Sequence, residues 1–151
     1  VSGVPLHHFT VRWADLDANR HMANVAYLNI AVDARLAAFH HLGFTVADFA
    51  AAGIGPVIRR EEVEYHREMH LHDAGTVSTL IAGLSEDGTR FRIRNAFLRA
   101  DGVRCAEVTA LAGWLHLAER RLVAPPEGLL VAMRGMPRTD DFEVLRSSVR
   151  A

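Results

Sequence analysis

Apolar residues change their period twice along the chain. Over residues 6–13, Phe9, Val11 and Trp13 alternate with polar neighbours, the pattern of a strand with one buried face. From 24 to 42 the step lengthens to three and four: Val25, Leu28, Val32, Leu36, Phe39 and Leu42 form a stripe that predicts a helix laid on a core. Ala31, Ala34, Ala37 and Ala38 add helix propensity and allow close approach, and Gly43 is placed to stop the helix. A short second helix is expected over 46–51, with Thr45 as its N-cap. Alternation then returns, weakly over 57–71, cleanly through Val77, Thr79 and Ile81, and again over 90–98 and 103–117. Residues 72–75 and the two Asp-Gly pairs, 87–88 and 101–102, read as turns, since Asp-Gly supplies the positive φ of a tight hairpin. After Pro125-Pro126 only a short helix near 127–134 and a polar tail over 138–151 are expected.

Strand, long helix, then four strands joined by tight turns predicts an α+β fold, an antiparallel sheet covering one apolar helix. With 151 residues the chain suits a single domain over 1–151, its core at about 6–117 and an extension at 118–151. All 17 basic residues are arginine, which excludes a Schiff-base lysine and a P-loop lysine alike. A net charge of −1 argues against a nucleic-acid partner. One cysteine, Cys105, allows neither an intrachain disulfide nor a zinc-finger spacing. No apolar run approaches the ~20 residues of a membrane span, and the first residues lack a signal-peptide pattern, so no membrane partner and a cytoplasmic location are expected.

Two clusters carry candidate chemistry. The first, Trp13-Ala-Asp15-Leu-Asp17-Ala-Asn19-Arg20-His21-Met-Ala-Asn24, precedes the long helix. A helix start offers unpaired N–H groups and the positive end of the dipole, so N–H groups near Val25, Ala26 and Tyr27 would polarise a carbonyl. Asp17, Asn19 and Asn24 equally suit a plain turn and an N-cap. The second, Glu61-Glu62-Val-Glu64-Tyr65-His66-Arg67-Glu68-Met69, reads as a charged strand face in which Glu68 stands out. His70 and His72 share a strand face, but no metal-binding spacing accompanies them and no metal is expected.

The stretch Asp15-Leu-Asp17-Ala-Asn19-Arg-His21-Met-Ala-Asn24-Val-Ala-Tyr27 resembles the start of hot-dog-fold thioesterases, nearest the Asp-Leu-Asp-x-Asn-x-His-Val-Asn-Asn-x-x-Tyr pattern of the acyl-acyl carrier protein enzymes, and it is also similar to the Asp-x-Asp segment of the 4-hydroxybenzoyl-CoA group. Glu64-Tyr65-His66-Arg67-Glu68-Met69 is similar to a Glu-Tyr-Arg-Arg-Glu-Cys segment of the carrier-protein enzymes. The resemblance implies a hot-dog fold, an antiparallel sheet wrapped around one long central helix, and hydrolysis of an acyl-CoA or acyl carrier protein thioester. It gives Asp17 the role of nucleophile or general base, Asn19 and His21 those of orienting groups, and Glu68 a role on water. Met69 replaces the cysteine of some relatives, and Ala23 the first of two asparagines. The resemblance also implies a homodimer or homotetramer that builds the sites between copies.

No cofactor is expected beyond the CoA of the substrate. Asn24, Val25, Ala26 and Tyr27 are expected to bind the thioester. In a chain without lysine, phosphate falls to arginine, with Arg59, Arg60, Arg90, Arg92 and Arg94 as candidates. Two other readings stay open. One is a hot-dog hydratase or dehydratase, whose Asp-x-x-x-x-His spacing is not met by Asp17 and His21. The other is a catalytically silent acyl-thioester binding domain.

Overall fold

In the computed structural model, which describes residues 3–149, the strands form a seven-stranded sheet. Strand β1 spans His7–Thr10, followed by a 3-10 turn at Trp13–Asp15, the helix α1 at Asn24–His41 and α2 at Val46–Ala52. Then come β2 (Ile54–Tyr65), β3 (Ala74–Ser85), β4 (Arg90–Arg99), β5 (Arg104–His116), β6 (Arg121–Val123), α3 (Glu127–Arg134) and β7 (Arg138–Leu145). The sheet order is β1-β3-β4-β5-β2, antiparallel throughout, with β6 added to β5 and β7 running parallel to β3. Gly88 supplies the positive φ, 75°, that the β3–β4 turn needs, as its Asp-Gly pair predicts. Thr45 caps α2 with a reciprocal Asp48 contact, a capping box.

The helix α1 lies on the sheet by a different face from the one its large residues mark. Buried are Ala26, Tyr27, Ala31, Ala34, Arg35, Ala38 and Phe39, while Val25 and Val32 of the expected stripe are exposed. Small side chains let the curled sheet approach the helix backbone, and that close approach outweighs the burial of two valines. Trp13 also departs from its expected place on the strand face with Phe9 and Val11. β1 ends at Thr10, the 3-10 turn redirects the chain, and the indole is left exposed.

A buried polar layer divides the core. Arg35 Nε donates to Asn95 Oδ1 at 2.8 Å, and Asn95 Nδ2 donates to Thr79 Oγ1 at 2.9 Å. On β3 Thr79 falls between Val77 and Ile81, and on β4 Asn95 falls between Ile93 and Phe97. Each pair of neighbours splits between two apolar clusters, one around Phe39, Phe49 and Trp114, the other around Tyr27, Met69 and Phe97. The second cluster floors the first turns of α1, where the candidate site lies.

Residues 138–145, read from sequence as polar tail, form β7 instead. Its parallel pairing continues the edge of β3 beyond the reach of β1. Its acids meet the arginines of β4: Arg92 Nη1 lies 2.6 Å from Glu143 and Arg94 Nη1 lies 2.8 Å from Asp141. Backbone pairing with β3 and packing of Phe142 against the Phe39–Trp114 cluster hold a segment whose own sequence carries little strand signal, and the exposed ion pairs add modestly.

Candidate active site

The loop between β1 and α1 is shaped by its aspartates, and they do different work. Asp15 is buried and gripped by Arg12, with Nη2 2.9 Å from Oδ1, Nε 3.1 Å from Oδ2, and the Arg12 N–H on Oδ2. Hydrogen bonding from Arg12 holds its carboxyl below the usual carboxylate range. Asp15 is a structural anion. Asp17 is not paired with any arginine among the described residues. Its backbone exchanges bonds with His21 and Arg20, and an isolated bridge between Leu16 and Met22 closes the loop. The Asn19 N–H donates to Asp17 Oδ1 at 2.8 Å, an Asx turn, while Oδ2 lies 3.7 Å from His21 Nδ1.

Opposite this loop, the chain after β2 is drawn in by backbone bonds. His66 and Arg67 N–H both donate to the Cys105 carbonyl, and the Met22 N–H donates to the Met69 carbonyl at 2.8 Å. Burial of Met69 and Met22 in one cluster fixes the same juxtaposition. The result is a recess of about 400 Å³ lined by Asp17, His21, Met22, Asn24, Tyr27, Tyr65, His66, Arg67 and Glu68. Two segments some forty residues apart in sequence therefore meet.

The electrostatics suit a carbonyl substrate. No side chain caps α1, no acid occupies its first turn, and Ala23 is the N-cap in place of Asn24. Among the described residues the Asn24 and Val25 N–H groups have no acceptor, whereas the Ala26 N–H donates to the Ala23 carbonyl. An uncapped helix start at the rim of a recess is a ready acceptor site for developing negative charge. Tyr27 packs edge-on against Tyr65 and Phe97 at 5.4 and 5.2 Å. Burial, with lesser contributions from Cys105, Tyr65 and Glu68, pushes its phenol up to about 12, so it remains a hydrogen-bond donor. Glu68 Oε2 is 3.2 Å from His70 Nε2. Cys105 is buried, its thiol pushed up by burial, and it packs as an apolar residue.

Of the residues expected from sequence, the structure brings together Asp17, His21, Asn24, Tyr27 and Glu68. Asn19 serves its turn through the backbone, Val25 is exposed, and Ala26 is buried under the helix. The arginines expected to hold phosphate do not join the recess. Arg60 pairs with Glu62 at 2.8 Å, Arg90 Nε donates to Ser148, Arg92 and Arg94 are taken by β7, and Arg59 sits with Arg90 in a shallow groove elsewhere. The acidic partners of Arg92 and Arg94 lie about 50 residues away, so those two pairings have no local sequence signal. Strand alternation through this cluster puts Tyr65 and Arg67 on the face opposite Glu68, yet Tyr65, His66 and Arg67 line the recess together with it. The strand ends at Tyr65, and alternation stops with it.

A family model of the thioesterase-like superfamily matches residues 11–133. The chain belongs to that superfamily. The fold of this thioesterase-like chain, a curled antiparallel sheet on one central helix, is the α+β hot-dog fold. It is 30% identical over 128 residues to an L-carnitine dehydrogenase/betainyl-CoA thioesterase of Agrobacterium fabrum, a match covering 85% of this chain and 26% of that protein. The chain thus spans about a quarter of that relative's length. Among solved structures, a Staphylococcus aureus protein in complex with CoA superposes with a TM-score of 0.79 at 21% identity, covering 91% of this chain and 89% of that one. A gentisyl-coenzyme A thioesterase gives 0.76 at 21% identity, over 85% and 99% of the two chains. A 1,4-dihydroxy-2-naphthoyl-CoA thioesterase from Synechocystis gives 0.76 at 15%, over 86% and 95%.

Proposed function

We propose that this thioesterase-like chain hydrolyses acyl-CoA thioesters in the Asp17 recess. The observation that carries the reading is one juxtaposition: an aspartate paired with no arginine among the described residues faces the same recess as an uncapped helix start. The thioester carbonyl rests on the Asn24 N–H, which stabilises the oxyanion as the carbonyl carbon becomes tetrahedral. Asp17 either takes a proton from the attacking water or attacks the carbonyl itself, giving a mixed anhydride that water then opens. Both routes end alike: the C–S bond breaks, the CoA thiolate takes up a proton, and the acid leaves as carboxylate. A proton on His21 Nδ1 is shared with the Met22 carbonyl at 3.2 Å, which leaves Nε2 to accept from water. Single turnover in 18O-water separates the routes, since label appears in Asp17 only when the anhydride forms.

CoA is the carrier that the named relatives share, and acyl carrier protein is the second carrier to assay. A small cationic acyl group heads the substrate panel. The Agrobacterium relative is named for betainyl-CoA, and Tyr27 and Tyr65 offer aromatic surface beside the carboxylates of Asp17 and Glu68. Thiol release from betainyl-, aliphatic and aromatic acyl-CoA, each beside its carrier-protein counterpart, tests the reading. Turnover of a CoA thioester supports it. Tight binding with no thiol release from any of them establishes a silent binding domain instead.

The active form is a homo-oligomer. β2 is an edge strand of 12 residues paired on one side only, with Ile58 and Tyr65 exposed along it. An edge of that length invites a second strand, and Tyr65 at its end lines the recess. Light scattering tests this: the expected mass is a dimer or a multiple of it, and a monomer at full activity overturns it.

A further inference from the structure

Trp13 stands out on the surface. Its indole is 79% exposed, whereas Trp114, the other tryptophan, is fully buried. The backbone beneath it is held firmly by the Arg12–Asp15 pair and by the bonds of the 3-10 turn, so the ring is presented on a fixed base. Beside it opens a second recess, of about 550 Å³, lined by Trp13, Leu16, Asp17, Arg20, His70 and Leu71. Asp17 lines both recesses, so the two adjoin at this residue. Indole, Leu16 and Leu71 give this side apolar walls, while Arg20 and His70 give it cationic groups. Arg20 has no carboxylate partner among the described residues and is held at a positive φ of 65°, its N–H on the Asp17 carbonyl. Nearly all the arginines once eligible to hold phosphate are occupied elsewhere, whereas Arg20 is unpaired and close to the reacting carboxylate.

We propose that this recess is the CoA-binding side of the site: adenine stacks on the Trp13 indole, Arg20 holds a CoA phosphate, and the pantetheine arm crosses Leu16 and Leu71 toward Asp17. The acyl group then occupies the Tyr27–Tyr65 side. Purine rings stack on exposed aromatic faces, and a guanidinium pairs phosphate through two parallel N–H bonds, so the two side chains match the two ends of a nucleotide. The proposal rests on the acyl-CoA reading above, and its test separates the two.

The test compares one acyl group on CoA and on N-acetylcysteamine, a carrier without nucleotide, using the full chain and its Trp13→Ala and Arg20→Ala variants. In each variant the ratio of KM for the CoA ester to KM for the N-acetylcysteamine ester rises about tenfold, the loss of one stacking or charge-assisted contact. Adenosine 3′,5′-bisphosphate and free CoA quench the tryptophan emission of the parent chain, and the quench disappears in Trp13→Ala. An unchanged ratio overturns the proposal, because the side chains then support the loop and not the nucleotide. So does a Trp13→Ala chain whose mass in solution falls, which makes the indole a contact between copies. If CoA quenches but no thioester is hydrolysed, the nucleotide site stands and the hydrolase reading falls.

Discussion

Asp17 and His21 face each other across three intervening residues, with Oδ2 of the carboxylate 3.7 Å from Nδ1 of the imidazole. The other oxygen, Oδ1, accepts the Asn19 N–H, so the loop orients the carboxylate without neutralising it. His21→Ala removes the facing imidazole but leaves the turn bonds of Asp17 in place. Steady-state kinetics on the best acyl-CoA should show kcat lowered by roughly 10- to 100-fold with KM little changed, below the full effect of losing a general base. A change confined to KM would assign His21 to binding alone.

The division of labour between Asp15 and Asp17 predicts opposite phenotypes. Asp15→Asn breaks the bidentate pair between a buried carboxylate and the exposed Arg12 guanidinium and should lower the midpoint of urea unfolding. The soluble fraction should keep kcat within a few-fold, because Asp15 does not line the recess. Loss of turnover without loss of stability would reverse the two roles.

The polar layer in the core is a second stability test. Arg35 is 6% exposed, its Nη1 lies 3.3 Å from Glu61 on the edge strand, and its Nη2 has no partner among the described residues. Asn95→Leu strands the Arg35 Nε as well and should cost about 2 kcal/mol. Arg35→Met combined with Asn95→Leu removes both polar partners and should recover part of that loss, since an apolar replacement of a buried polar pair is often near neutral. A double variant weaker than the single one contradicts the account.

The C-terminal segment predicts a pH effect. Burial pushes the Asp87 carboxyl up, but hydrogen bonds from Ser147, Thr89 and Ser85 outweigh it and hold the group down at about 2. The ordinary value is 3.8, so the unfolded chain takes up the proton first as pH falls. The stabilisation is complete well above the ordinary value and is lost as pH drops through it toward about 2. Urea midpoints at neutral and at acid pH should therefore differ less in Asp87→Asn than in the parent chain, and equal differences would show that the hydrogen bonds to Asp87 carry no such linkage.

Much of this was legible in the chain because the signals were local. The helix over Asn24–His41, the capped α2, the Asp-Gly turns and α3 each follow from residues within a few positions of one another. The α+β hot-dog fold and the superfamily followed from motif resemblance together with element order. What escaped was non-local. The buried face of α1 is chosen by the sheet's approach to its alanines, and Arg35 sits on that alanine face, at a position an apolar count passes over. β7 pairs with β3 and packs Phe142 on the core, contacts that no local pattern announces, and its acids pair with Arg92 and Arg94, about 50 residues back and two of the five arginines expected to bind phosphate. Trp13 fits a strand pattern until the 3-10 turn intervenes.

The central claim is that Asp17 performs the chemistry, and one measurement addresses it directly: thiol release from the best acyl-CoA by the parent chain and by Asp17→Asn under identical conditions. The account predicts kcat reduced by at least about 10²-fold in the variant, with acyl-CoA binding largely kept. Near-normal turnover by Asp17→Asn would contradict it.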